Sequence, residues 1–114
     1  MPNQSAALDR VFRALADPTR RAVLQRLGGG PAAVSALAWP FRMALPSFVQ
    51  HLEVLERCGL VRSRKAGRVR TFRLAPRTLG TAERWLERQR SIWSRRLDRM
   101  DQYLRDLHRK EKLP

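Results

Sequence analysis

The stretch from Leu45 to Leu60 constrains the fold of this chain more than any other part of the sequence. Pro46 suits the first turn of a helix, where its missing N–H removes no hydrogen bond, and Gly59 suits the position that follows a helix end. One apolar stripe at helical spacing lies between them and consists of Phe48, Leu52 and Leu55. The pattern therefore predicts an amphipathic helix that buries one side in a small core.

The opposite side of this helix is polar, with Ser47 and Gln50 facing away from the stripe and His51 slightly to the side. An α-helix about 10–12 Å across fits a DNA major groove about 12 Å wide, where short polar side chains can reach base edges. Taken alone, these residues fit an ordinary surface helix better. The flanking sequence therefore has to decide between the two interpretations.

The flanking sequence favours a helix-turn-helix. Upstream it predicts a short amphipathic helix over residues 8–15 and a second helix that starts after Asp17, which is a good helix N-cap. Residues 31–41 fit a third, short helix, and residues 41–44 form the turn into the Leu45–Cys58 helix. Two short helices joined by a tight turn, the second with a polar outer side, are typical of a helix-turn-helix.

The next segment predicts a two-stranded β-hairpin with a strongly basic surface. Two β-prone runs, Val61–Lys65 and Arg68–Leu74, flank Gly67, which tolerates a positive φ angle. Phe72 and Leu74 are expected to anchor the hairpin to the helices. The segment has no acidic residue and six bases, namely Arg62, Arg64, Lys65, Arg68, Arg70 and Arg73. Directly behind a helix-turn-helix, such a hairpin predicts a wing that contacts DNA phosphates, with a merely solvated face as the alternative.

From Thr78 onward the spacing predicts one long helix, with apolar residues at every seventh position and again four residues later. The predicted apolar stripe contains Leu86, Trp93, Leu97, Met100, Leu104 and Leu107, and it is widened by Trp85, Ile92 and Tyr103. A stripe this wide exceeds what a small domain needs for its own core, so we expect it to pack against a second copy of the chain. Leu8, Val11 and Phe12 of the first helix are expected to join this interface. The alternative is that the long helix folds back on its own domain.

These elements predict a mainly α fold with a small β-hairpin, arranged as a winged helix-turn-helix with a long C-terminal dimerisation helix. A length of 114 residues suits one domain over residues 1–114. Within it, residues 8–77 are expected to form the DNA-binding core and wing, and residues 78–112 the dimerisation helix.

The charge of the chain predicts an anionic partner. Lys and Arg number 24 against 10 Asp and Glu, a net charge of +14, of which residues 1–82 carry +10 and residues 83–114 carry +4. DNA is a natural partner for such a chain because each neutralised phosphate releases counterions. There is no apolar run of membrane-spanning length, no apolar signal-peptide region and only one cysteine, Cys58. We therefore expect a cytoplasmic protein that does not contact membranes.

Three stretches resemble the ArsR/SmtB family of winged-helix bacterial repressors. Residues 13–27 (RALADPTRRAVLQRL) resemble the opening phrase of the family, and residues 34–74 (VSALAWPFRMALPSFVQHLEVLERCGLVRSRKAGRVRTFRL) resemble its recognition unit and wing. Residues 90–104 (RSIWSRRLDRMDQYL) are similar to the tail of the branch without known metal sites, and the resemblance covers about residues 8–107. It implies a homodimer that binds an imperfect inverted repeat in double-stranded DNA and blocks transcription. It also admits an unidentified small-molecule inducer as a partner.

The predicted recognition helix departs from the family pattern near its start. Ala44 replaces the usual leading Ser and removes a helix cap, and Val49 stands where a second Ser is common, whereas Gln50 and His51 match. We therefore expect a target sequence that differs from those of relatives. Gln50 can read adenine through a bidentate pair, and Ser47 can contact a base or a phosphate. The residues predicted to contact DNA are Arg42, Ser47, Gln50, His51, Arg64, Lys65, Arg68 and Arg70.

Metal sensing is a rival hypothesis that the residues disfavour. Metal-responsive relatives carry a Cys-Val-Cys phrase before the recognition helix, where residues 34–38 contain no cysteine. Residues 106–108 supply the Asp-x-His half of a second family motif, but too little chain follows for its other ligands, and zinc needs about three or four of them. We therefore predict no metal site and no cofactor. Cys58 is expected to be a small buried residue, with a redox role as the alternative.

An enzyme is not expected, because the sequence shows no nucleophile–base pair, carboxylate pair or phosphate-binding loop. The leading hypothesis is a sequence-specific DNA-binding regulator. The alternatives are a non-specific basic nucleic-acid-binding protein, a metal- or redox-responsive repressor, and an interaction module whose long helix pairs with another protein. A non-specific binder would bind duplexes with little dependence on their sequence.

Overall fold

The structure is a computed structural model that describes residues 4–111. Its helices are α1 (Gln4–Leu15), α2 (Pro18–Leu27), α3 (Val34–Ala38), α4 (Leu45–Arg57) and α5 (Pro76–Glu111). Its strands are β1 (Ala32–Ala33), β2 (Val61–Ala66) and β3 (Val69–Leu74). The fold is therefore mainly α with a small antiparallel sheet, which confirms the predicted class.

Helices α2 and α4 begin and end close to where the local chemistry of the sequence predicts, whereas α1 begins earlier than the predicted residue 8 and α3 is shorter than the predicted residues 31–41. Asp17 caps α2, because its carboxylate accepts a hydrogen bond from the backbone N–H of Arg20 at 3.0 Å. At the start of α4, Ala44 makes no side-chain cap. Gly59 follows the end of α4 with a φ of +84°, and a Cβ atom there would lie 2.7 Å from the Thr78 Oγ1 atom. Glycine is therefore favoured at position 59 by the backbone conformation, and a larger residue would also force the Thr78 side chain to move.

The sheet contains one strand more than the predicted hairpin. Strand β3 lies between β2 and the two-residue strand β1, and both pairings are antiparallel. In β1, Ala32 pairs with Phe72 and Ala33 with Thr71. The sequence gives no sign of this strand, because two alanines have low β-propensity and are too short for any alternation. The turn between β2 and β3 contains Gly67, whose φ of +62° agrees with the prediction.

The core of the first part of the chain is built around α4. Phe48, Leu52 and Leu55 are at most 1% exposed, which confirms the apolar stripe of the predicted helix. Each such residue contributes about 1.5–3 kcal/mol when it is fully buried. Phe72 of β3 is also buried and Leu74 packs against the same core, so both anchor the sheet to the helices as predicted.

The chain divides into two compact units, Met1–Ala82 and Glu83–Pro114. The first unit contains α1 to α4 and the sheet. Helix α5 begins in the first unit at Pro76, slightly before the predicted start at Thr78, and its residues 83–111 form the described part of the second. Within the described range, none of the helices has both the length and the hydropathy that crossing a membrane requires.

Candidate nucleic-acid interface

Helix α4 presents a polar strip on the side opposite its buried stripe. Ser47 and Gln50 are exposed, and the strip continues at helical spacing from Gln50 to Glu53 and Arg57. Glu53 and Arg57 form an exposed ion pair at 3.6 Å. Glu53 was not among the predicted site residues, although its spacing of three residues from Gln50 signals the shared face. A carboxylate on this strip can accept a hydrogen bond from the cytosine amino group and repels phosphate.

His51 does not lie on this outward strip, so its position does not support its predicted contact with DNA. Its ring is half-buried, and Nδ1 lies 3.1 Å from Nη1 of Arg20 and 3.7 Å from Oδ2 of Asp17, both on the α2 side. The physical reason is the helical repeat: His51 follows Phe48 by three residues and precedes Leu55 by four. That spacing puts it beside the buried stripe.

The wing carries its bases on two different faces of the sheet. Lys65, Arg68 and Arg70 border a groove of about 420 Å³ whose other wall includes Val49 and Glu53 of α4. These three bases therefore lie next to α4, as the wing hypothesis requires.

Arg64, which is also predicted to contact DNA, lies apart from those three bases. Arg64 borders a different groove together with Arg62 and Arg73, because alternate residues of a strand point to opposite faces. Arg62 and Arg73 are direct cross-strand partners, and both are exposed.

A chain of hydrogen bonds connects α4 to the wing. The Ser63 hydroxyl donates to Oε2 of Glu56 at 2.6 Å and accepts from Nη1 of Arg70 at 2.8 Å. Ser63 thus links a carboxylate on α4 to a guanidinium on β3. Sequence reasoning did not find this connection, because it joins residues on separate elements through a side-chain geometry that only the fold creates.

The turn that leads into α4 is exposed at two positions. Arg42 is exposed and lies just before the uncapped first turn of α4. Trp39, at the end of α3, is 85% exposed and was not among the predicted site residues. An arginine at this end of a helix that starts without a side-chain cap provides positive charge where backbone N–H groups are also directed outward.

Residues 83–111 of α5 carry a large exposed apolar surface. Its members that were predicted for the dimer interface are exposed, namely Leu86, Ile92, Trp93, Leu97, Met100 and Leu104, whereas Trp85 is half-buried. Tyr103 and Leu107 are exposed as well.

The prediction that Val11 joins this interface is wrong. Val11 is only 3% exposed and belongs to the core of the first unit, and Leu8 and Phe12 pack partly against the same core. Helix α1 uses this side to cover the helical core, so these side chains are occupied within their own unit.

The titratable groups near the core show two shifts. Partial burial raises the pKa of Asp17, but the Arg20 backbone N–H and the neighbouring His51 and Arg20 side chains outweigh this effect, so the pKa lies below its ordinary value. Burial raises the pKa of the Cys58 thiol, which donates a hydrogen bond to the Leu55 carbonyl at 3.4 Å. A raised pKa leaves less reactive thiolate at neutral pH. Among residues 4–111, no three His, Cys, Asp or Glu side chains cluster as metal ligands would.

The structure has a helix-turn-helix formed by α3 and α4, followed by an antiparallel wing formed by β2 and β3. These elements define a winged helix-turn-helix protein. Residues 15–64 match the family model of a helix-turn-helix domain. The HTH-type transcriptional regulator Rv2034 of Mycobacterium tuberculosis is 43% identical over 89 residues, which cover 78% of this chain and 80% of that protein.

Solved structures support the same class. A crystal structure of an ArsR family transcriptional regulator matches with a TM-score of 0.78 and 50% identity, covering 82% of this chain and 97% of that chain. The solution structure of the homodimeric winged helix-turn-helix DNA-binding domain Mb0332 from Mycobacterium bovis matches with a TM-score of 0.58 and 28% identity, covering 87% and 92% of the two chains. The chain belongs to the ArsR family of winged helix-turn-helix transcriptional regulators.

Proposed function

We propose that this chain is a homodimeric repressor that binds a specific DNA sequence. The observation that carries the proposal is the arrangement of α4 and the wing. Gln50 lies on α4 between Val49 and Glu53, which border the groove whose opposite wall carries Lys65 and Arg70. An exposed polar strip and a cluster of bases are thus adjacent, which suits simultaneous contact with base edges and phosphates.

In this proposal α4 enters the major groove and the wing contacts the neighbouring backbone. Gln50 accepts and donates in a bidentate pair with adenine, and the Ser47 hydroxyl contacts a base or a phosphate. The wing bases and Arg42 neutralise phosphates, and the charge of +10 on residues 1–82 makes binding strongly dependent on salt. Base contacts supply the specificity, while phosphate contacts supply position and affinity.

A second copy of the chain is the proposed occupant of the exposed apolar surface of residues 83–111. The homodimeric relative with the same fold supports this choice. Twofold symmetry places two recognition helices about 34 Å apart, so the expected operator is an imperfect inverted repeat. A dimer bound over a promoter blocks transcription by occupying it. The proposed setting is the cytoplasm, with a small-molecule inducer as an additional partner and no catalytic role.

Selection from a random-sequence duplex library with the purified full chain tests the proposal. The expected product is an enriched inverted repeat with half-sites about 10 base pairs apart. Fluorescence anisotropy at physiological salt then compares the enriched duplex with a scrambled duplex of equal composition. We expect the enriched duplex to bind at least about 1,000-fold more tightly.

The same measurement separates the alternative function. Equal affinity for both duplexes would refute sequence-specific recognition and would favour a non-specific basic nucleic-acid-binding protein, for which the net charge of +14 is the supporting observation. Gln50→Ala provides a second check. If Gln50 reads a base, the variant selects a different consensus, whereas an unchanged consensus would exclude Gln50 from base reading.

A further inference from the structure

The guanidinium group of Arg20 connects three helices of the first unit. Its Nε donates to the Ala14 carbonyl at 2.8 Å and its Nη2 donates to the Arg13 carbonyl at 2.9 Å, both at the C-terminal end of α1. Its Nη1 lies 3.1 Å from Nδ1 of His51 on α4. All three side-chain nitrogens of Arg20, which lies on α2, therefore contact residues of two other helices, α1 and α4.

The direction of the bond to His51 follows from chemistry. Arginine has five N–H donors and no acceptor, so in a hydrogen bond between these two groups Nδ1 of His51 is the acceptor. Asp17 has its Oδ2 atom 3.7 Å from the same Nδ1 and accepts the Arg20 backbone N–H at 3.0 Å. His51 is thus held at the junction of α1, α2 and α4, one residue away from the exposed Gln50.

The contact from Arg20 to His51 adds a directional constraint on the α2 side of α4, as the hydrogen bond from Ser63 to Glu56 does on the wing side. Its apolar stripe is buried by non-directional forces, which resist separation more strongly than rotation or sliding of the helix. Its start lacks a side-chain cap at Ala44, and Pro46 has no N–H to offer. A functional side chain must be held within about 0.5 Å of its productive position, which calls for supporting hydrogen bonds.

We propose that Arg20 is a positioning residue for DNA recognition, fixing α4 against the end of α1 through His51 without itself contacting DNA. This inference rests on the proposed function. It assigns Arg20 and His51, together, the task of setting the rotation of the helix that presents Ser47 and Gln50.

Arg21 provides a matched control on the same helix. It has the same charge, and its Nη1 donates to the Leu15 carbonyl of α1 at 2.7 Å, but within residues 4–111 it makes no hydrogen bond to α4. If Arg20 acted only through its charge or by capping α1, Arg20→Gln and Arg21→Gln would have similar effects. If Arg20 positions α4, only Arg20→Gln weakens recognition.

A second pair of variants isolates the acceptor on His51. In His51→Asn the Oδ1 atom takes nearly the position of Nδ1, because both are bonded to Cγ, so the bond from Arg20 can be kept. In His51→Leu the acceptor is lost and the Nη1 group of Arg20 has no partner on α4. This pair keeps the proposal testable even if Arg20→Gln fails to fold.

The experiment measures the affinity of these four variants for the enriched and scrambled duplexes at several salt concentrations, with thermal unfolding as a check of folding. We expect Arg20→Gln and His51→Leu to lose about tenfold in affinity for the enriched duplex, because a charge-assisted hydrogen bond is removed. Affinity for the scrambled duplex and the salt dependence should stay unchanged, and Arg21→Gln and His51→Asn should resemble the wild type.

Two results would overturn the inference. One is an equal loss in Arg20→Gln and Arg21→Gln, or in His51→Asn and His51→Leu. The other is a loss on both duplexes accompanied by a salt slope reduced by about 0.9, which is the signature of a lost phosphate contact. A wild-type protein that did not prefer its selected duplex would instead refute the proposed function, and this inference with it.

Discussion

Substituting Leu97 with glutamate should separate dimerisation from folding. Leu97 lies in the exposed apolar surface of α5 and keeps 65% of its surface accessible. Full burial of a leucine contributes about 1.5–3 kcal/mol, so covering this fraction contributes about 1–2 kcal/mol per subunit. A twofold interface contains the residue twice, which gives about 2–4 kcal/mol for the dimer before the cost of burying two carboxylates. We therefore expect Leu97→Glu to raise the dimer dissociation constant by at least about 30-fold.

Sedimentation equilibrium over a range of protein concentrations measures this shift directly. Ser91→Glu is the matched control, because it adds the same charge at an exposed position on the opposite side of the same helix. Leu97→Glu should also weaken binding to the selected inverted repeat, while the thermal unfolding of the first unit stays close to that of Ser91→Glu. Equal dimer dissociation constants for the two variants would show that the exposed apolar stripe is not the interface.

Three further substitutions test the wing and the cap of α2. Arg68→Ala should weaken binding to all duplexes alike and reduce the slope of log affinity against log salt by about 0.9, and an unchanged slope in an anisotropy titration would exclude a phosphate contact. Ser63→Ala removes the link between Glu56 and Arg70 and should cost about 1 kcal/mol in urea-induced unfolding, whereas no loss would show that the chain of hydrogen bonds contributes nothing net. Asp17→Ala should cost about 1 kcal/mol at pH 7 through the lost cap. Because the pKa of Asp17 is lowered in the folded state, its charged form stabilises the folded protein above about pH 4. This part of the stability difference between Asp17→Ala and the wild type should disappear as the pH falls through the folded-state pKa. A stability difference that did not shrink at low pH would contradict the charge contribution.

Much of the backbone follows from short-range chemistry in the sequence. The cap at Asp17, the positive φ at Gly59 and Gly67 and the stripe through Phe48 depend on residues close together in the chain, so local rules predict them. Strand β1 could not be predicted in this way, because its two alanines become a strand only by pairing with β3.

The candidate site was less accessible to sequence reasoning, for a related reason. A side chain at the border between the apolar and polar faces of a helix can point toward the core or toward solvent. The position of a partner determines the direction, as Arg20 does for His51. Likewise, a run of basic residues in a hairpin suggests one basic patch from the sequence. The alternation of side chains along a strand, however, places Arg64 and Lys65 on opposite faces of the sheet. The residue types thus indicated that the protein binds DNA. Which residues face outward and which hold other residues in place became clear only from the fold.

The cross-strand pair of Arg62 and Arg73 has a consequence for the response of this regulator to ionic conditions. Two guanidinium groups directly opposite each other repel, and dissolved ions screen that repulsion. Added salt should therefore stabilise the pairing of β2 and β3 at the base of the unbound wing, while it lowers the affinity for DNA. Ionic strength would thus stabilise the wing of the free protein and destabilise the complex with DNA.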